Sequence, residues 1–107
     1  MARKQLTLGD LLKSEADYNS REAIAAPIGT KIGQLVTHPE RQMPLVALSD
    51  EEGGKVLVQP SNCVIYLDNV TAADVAAYEH QGAPLTVETL KQQGDVFGIK
   101  YIGAPSN

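Results

Sequence analysis

Short runs of apolar and polar residues, broken by glycine and proline, fill residues 23–107 and predict strands rather than long helices. Residues 31–36 set Ile32 against Gln34 and end at the turn-prone Thr37-His38-Pro39-Glu40. Residues 44–48 and 55–59 flank Asp50-Glu51-Glu52-Gly53-Gly54, which reads as a hairpin with an acidic loop. Pro60-Ser61-Asn62 is a further turn, and residues 63–67 are continuously apolar, the pattern of a buried strand. Two short helices follow. Thr71 and Asp74 have capping-box spacing ahead of Val75, and Thr86 opens a helix through Val87 and Leu90 that stops at Gly94. Residues 96–102 close the chain as a strand, with residues 103–107 a tail of the kind usually disordered. The reading is one small compact domain, mainly β with minor α (α+β).

Residues 6–22 follow a different pattern. Leu6, Leu8, Leu11 and Leu12 gather on one side, Thr7 and Asp10 have the spacing of a helix start, and residues 18–22 are polar and turn-prone. An isolated helix below roughly 12 residues is marginal in water, so this stretch predicts one amphipathic turn that orders only when another surface covers its leucines. The division expected is an extended N-terminal arm, 1–22, and a β-rich body, 23–107.

The run Asp10-Leu11-Leu12-Lys13-Ser14-Glu15, then Tyr18-Asn19-Ser20-Arg21-Glu22, then Ile24, resembles the N-terminal signature of the lambda-type bacteriophage head decoration proteins. The resemblance continues through residues 29–36, GTKIGQLV, residues 64–75, VIYLDNVTAADV, and residues 90–102, LKQQGDVFGIKYI. Residues 37–59 and the tail depart from it. The resemblance implies a non-enzymatic cement protein, made in the host cytoplasm and carried on the outer surface of the virion. Such proteins bind the major capsid (coat) protein as homotrimers at threefold positions of the expanded head and stabilise it against DNA pressure. Carried over by position, Asp10, Leu11, Leu12, Glu15, Ser20, Arg21 and Glu22 are the candidate coat contacts, with Arg21 facing a coat carboxylate and Glu22 a coat base. The alternative is that Arg21 and Glu22 begin the body's first strand and pair locally. The arm's own physics adds Leu8, filling a groove beside Leu11 and Leu12, and Tyr18, starting an extended segment that pairs with a sheet edge.

Composition fits an assembly protein. The chain has 107 residues with one Phe and no Trp, so a body without the arm is near the size at which a single core only just suffices. Burial between subunits, with Phe97, Tyr101 and Ile102 as contributors, would offset that. Residues 1–22 balance in charge, leaving the formal −4 on the body, where basic residues are few and scattered. That argues against nucleic acid, whose binding relies on clustered Lys and Arg. No apolar run approaches the ~20 residues that span a bilayer, and no signal-peptide pattern opens the chain.

The search for chemistry returns little. His38 and His80 have no metal-ligand spacing, and no cofactor motif is present. Cys63, the single cysteine, lies in the apolar strand and reads as a buried thiol rather than a nucleophile. The acidic run 50–52 reads as a solvated turn rather than a calcium loop. What remains beside the capsid reading is a small soluble adaptor using the same arm on a non-capsid partner, and, further off, a thiol or acid–base enzyme using Cys63, His38 or His80.

Overall fold

The computed structural model describes residues 6–107. Along the chain the elements are α1 (Leu8–Leu11), β1 (Leu12–Glu15), a 3-10 turn (Tyr18–Ser20), β2 (Glu22–Ala25), β3 (Leu35–Thr37), β4 (Pro44–Val46), β5 (Lys55–Val58), β6 (Cys63–Tyr66), α2 (Ala72–Ala77), β7 (Glu79–His80), β8 (Ala83–Pro84), α3 (Val87–Val96) and β9 (Ile99–Ile102). The fold is mixed α+β, mainly β, built from several small sheets. No helix among the described residues is long and apolar enough to cross a membrane.

β6 lies at the centre of the only three-stranded sheet among the described residues, antiparallel to β1 on one side and parallel to β9 on the other. Its period-2 pattern turns Cys63 and Ile65 inward, level with Ile99 and Tyr101 of β9, and all four are buried. A parallel pair needs a long crossover, supplied here by α2, the β7–β8 hairpin and α3. Thr71 and Thr86 cap α2 and α3 through their hydroxyls, accepting from the amides of Asp74 and Thr89. α3 runs two residues past the glycine expected to stop it. Gly94 is helical and buried, and the residue that releases the chain is Gly98, at φ +74 just beyond the Phe97 cap. Gly94 serves packing instead, since a Cβ there would stand 2.6 Å from the Tyr101 ring and 2.8 Å from the Ile99 carbonyl oxygen.

The second layer differs from expectation in its pairing. The hairpin predicted between residues 44–48 and 55–59 does not form: β4 pairs with β3, and β5 pairs with β2. The Ala47 amide donates to the Gln34 carbonyl, which commits β4 to its preceding neighbour. Leu48 and Ser49, just past β4, reach β5 through bonds at Leu57. The acidic loop is more than a solvated tip. Asp50 accepts the Ile32 amide at 2.9 Å, and Glu51 accepts those of Gly29 and Gly54 at 3.0 and 2.7 Å, clamping the loop before β3. These amides hold the Glu51 carboxyl below its usual range. Across the molecule, the Arg41 guanidinium lies 3.9 Å from the centre of the Phe97 ring and donates to the Pro60 carbonyl, joining the β3–β4 turn to the end of α3.

Residues 6–22 are not a separate arm. α1 and β1 complete the central sheet, and Leu6, Leu11 and Leu12 are buried in the same core as Ile65 and Leu90. Each such leucine contributes about 1.5–3 kcal/mol, and the three together rival the roughly 5–15 kcal/mol net stability of an ordinary domain. The surface that covers the leucines is the chain's own. Arg3 and Lys4, part of the predicted arm, lie outside the described residues. The tail is likewise held. Ser106 donates to the Val70 carbonyl and accepts the Ala72 amide at the start of α2. Tyr101, proposed from sequence as a subunit contact, is a core residue.

Gly94→Ala should destabilise the protein by about 1–3 kcal/mol in denaturant melts, because overpacking against Tyr101 and backbone outweighs the ~1 kcal/mol helix preference for alanine. An unchanged or raised midpoint would show that β9 can move away from α3.

Candidate functional site

The residues that carry the sequence signature come together, but mostly with one another. Asp10 accepts the Thr7 amide at 2.8 Å, closing the first turn of α1, and its carbonyl accepts from the Asn69 side chain. Leu11 is fully buried, Leu12 nearly so, and Leu8 is packed half-buried against the same core. These positions hold the segment down and leave no row of leucines for a groove.

Beyond β1 a polar cluster takes over. Arg21 Nε lies 3.1 and 3.0 Å from the two carboxylate oxygens of Glu15, and a further guanidinium nitrogen bonds the same group. Gln59, buried at the end of β5, donates to Glu15 at 2.7 Å and to the Asp17 carbonyl at 3.2 Å. Its amide oxygen accepts from the Ser20 hydroxyl at 3.0 Å. Asp17 in turn accepts the Asn19 amide and caps the 3-10 turn. Glu15, Ser20 and Arg21 are therefore spent on holding Tyr18–Ser20 in place. The Arg21 guanidinium, followed by the Gln59 bond, holds the Glu15 carboxyl below its ordinary value near 4.5.

Glu22 is the first residue of β2, and its carboxylate lies 3.1 Å from Nε2 of His38. The His38 ring is buried, and its Nδ1 faces the amides of Glu40 and Arg41 at 3.3 and 3.2 Å. With Nδ1 accepting, the ring proton sits on Nε2 and is donated to Glu22. The local pairing of Arg21 and Glu22 weighed from sequence is the one observed. His38, read as a polar loop residue, is instead a structural strut beneath β2.

Of the nine sequence candidates, Tyr18 alone presents a large apolar surface, 67% exposed on the crest of the locked turn. Exposed alanines follow at 23 and 25, then Ile28, 88% exposed. The exposed apolar positions thus run from Tyr18 to Ile28, whereas Leu11 and Leu12 are buried. Sequence reasoning missed Gln59, because a lone glutamine ending a strand carries no sign of burial. It also passed over Ile28, hidden in the stretch Ala26-Pro27-Ile28-Gly29 between predicted elements.

Reactive groups are sequestered. Cys63 is buried, its Sγ bonded to the Gln59 carbonyl, and burial pushes the thiol up to about 11, so it is not a poised nucleophile. His80 Nε2 faces the Gln93 amide at 3.1 Å. No grouping of three or more His, Cys, Asp or Glu able to hold a metal exists among the described residues.

This chain matches no protein-family model, no curated protein and no solved structure.

Leu11→Ala should cost about 2–5 kcal/mol of stability in denaturant unfolding, as a fully buried leucine does; a cost near zero would restore a dispensable arm. The Glu15 cluster carries a pH signature. With its folded pKa depressed, Glu15 contributes stability that is fully present above about 4.5 and is lost as pH falls through the lower folded value. Glu15→Gln should therefore be less stable than wild type at neutral pH, and the gap should close on acidification below 4.5. Parallel stability curves would remove the cluster from the stability account.

Proposed function

We propose that this chain is a non-enzymatic decoration protein of a phage head, binding the outer surface of the expanded coat-protein shell as a homotrimer at threefold positions and stabilising it against internal DNA pressure. The N-terminal signature of the resemblance runs from Asp10 to Ile24, and one observation gives it a physical form: Tyr18, inside that signature, stands exposed on a turn pinned from below by Glu15, Arg21 and Gln59. A rigid aromatic ringed by polar groups is the usual anchor of a protein interface. Buried Cys63, with histidines already committed to structural bonds, suits a protein whose work is contact rather than chemistry.

A trimeric arrangement is the natural way to make such a contact hold. One tyrosine with a few small neighbours buries too little for a lasting complex, whereas three copies engaging together raise the effective affinity by orders of magnitude. The same multiplicity suits a lattice, where each threefold position offers three equivalent coat surfaces.

The test is co-sedimentation with expanded coat shells of the phage that encodes the chain. Deleting residues 1–22 is unsuitable, because it removes β1 from the central sheet. A surface substitution is used instead. Wild type should sediment with the shells, and Tyr18→Ala, with an unchanged melting temperature, should bind roughly 10- to 30-fold more weakly. Failure of folded wild-type protein to bind would sink the capsid assignment and leave an adaptor for a soluble partner.

A further inference from the structure

His38 is buried just past the end of β3, and its ring closes the turn that leads into β4. Nδ1 faces two backbone donors at once, the amides of Glu40 and Arg41 at 3.3 and 3.2 Å, so the turn as folded requires a lone pair on that nitrogen. Nε2 lies 3.1 Å from Glu22 and donates to it in the neutral and the cationic ring alike. A second proton therefore has one place to go, Nδ1, where it would stand against two N–H groups. Both accepted bonds would be lost and three donors left facing one another.

The turn is held under strain. Gln42 sits at φ +54, in the left-handed region that a residue with a side chain adopts at a cost. Beyond the ring, the bonds within the turn are those of the His38 amide to the Met43 carbonyl, the Gln42 amide to the His38 carbonyl and the Gln42 side chain to the Pro39 carbonyl. Arg41 gives the turn a longer reach. Its guanidinium covers the half-buried Phe97 ring at 3.9 Å and donates to the Pro60 carbonyl, and Phe97 adjoins Val96, 76% exposed at the end of α3. A turn that lets go takes Arg41 with it and leaves Phe97 and Val96 as one apolar patch.

The surrounding charges do not cancel the effect. Glu22, on β2, favours the cationic ring, but its side chain is 44% exposed and its pull is screened by solvent. Arg21 beside it is paired with Glu15, the Glu40 side chain is exposed, and the Arg41 guanidinium is turned away to Phe97. β4, from Pro44, and the end of β5 at Val58 bring no charge to this side.

We propose that His38 is an acid-sensitive latch on the β3–β4 turn, residues 38–43, and that its protonation at Nδ1 frees Arg41 and uncovers Phe97. The latch does not depend on the capsid reading.

The experiment is an NMR titration of the full-length protein from about pH 8 to 5, the span in which imidazoles take up a proton. The His38 ring, the Glu40 and Arg41 amides and the Arg41 side-chain protons are followed together. As the ring titrates, the two amides should lose about tenfold or more of their exchange protection, after correction for the intrinsic pH dependence. In the same step the Arg41 protons should move from values shifted by the Phe97 ring to those of a free arginine, while the amides of the central sheet stay in place. His80→Gln removes the other imidazole and should leave the step intact; a step that vanishes with His80 would overturn the latch. A His38 ring that titrates with the turn amides and Arg41 unmoved would overturn it too. So would a ring that takes up no proton before the whole protein unfolds.

Discussion

Backbone pairing on both flanks of β6 is the constraint from which the rest follows. β6 is the strand that joins the N-terminal segment, through β1, to the C-terminal strand β9. Because its bond to β9 is parallel, everything between must cross over the sheet, and the crossover brings α3 down onto β9 with Gly94 under Tyr101. Because its bond to β1 is antiparallel, α1 is delivered to the core with Leu11 fully buried. Cys63, in β6, is shut away for the same reason. β1, β6 and β9 are each too short to be stable alone, and the shared central strand joins them in one sheet.

The turn beyond β1 depends on a second constraint, that buried polar groups be satisfied. Gln59 is enclosed, and each of its side-chain polar atoms has a partner: Glu15 and Asp17 for the nitrogen, Ser20 for the oxygen. Removing any one partner would leave another group uncompensated, which costs more than the bond itself contributes. Gln93 offers a contrast, since its amide oxygen is buried without a hydrogen-bond partner. The firmly satisfied cluster lies under the surface proposed for contact, and the looser one under the β7–β8 hairpin.

The strands and helices were legible where local pattern decides them. Residues 63–67 read as a buried strand because their apolar run is continuous, and Thr71 and Thr86 mark helix starts because a hydroxyl cap is a local interaction. Pairing was not legible. Nothing in residues 44–48 announces that they bond backward to β3 rather than forward to β5, since a continuous apolar run marks burial and does not choose a neighbour. The stop of α3 was misplaced because two glycines lie near its end, and the one needed at positive φ, Gly98, is told from the one needed for close packing, Gly94, only by what sits above each. The leucines of residues 6–12 were read correctly as wanting cover, but a sequence does not say whose surface supplies it. For the site, Tyr18 was visible as a candidate, whereas the burial of Gln59 beneath its turn follows from nothing in that residue's own identity.

Folding residues 6–22 into the body changes the energetics of recognition. A free arm would pay an ordering cost of about 1–2 kcal/mol for each backbone residue fixed on binding. Here that cost is met during folding by the burial of Leu6, Leu11 and Leu12 and by the cluster around Gln59. A contact through the proposed anchor Tyr18 can then be small and still useful, because little of its energy goes into ordering this chain. Affinity in such an arrangement responds to the stability of the β1–β6 pairing only when that pairing fails altogether, so substitutions in the leucine core should act through the folded fraction, and substitutions at Tyr18 through the contact itself.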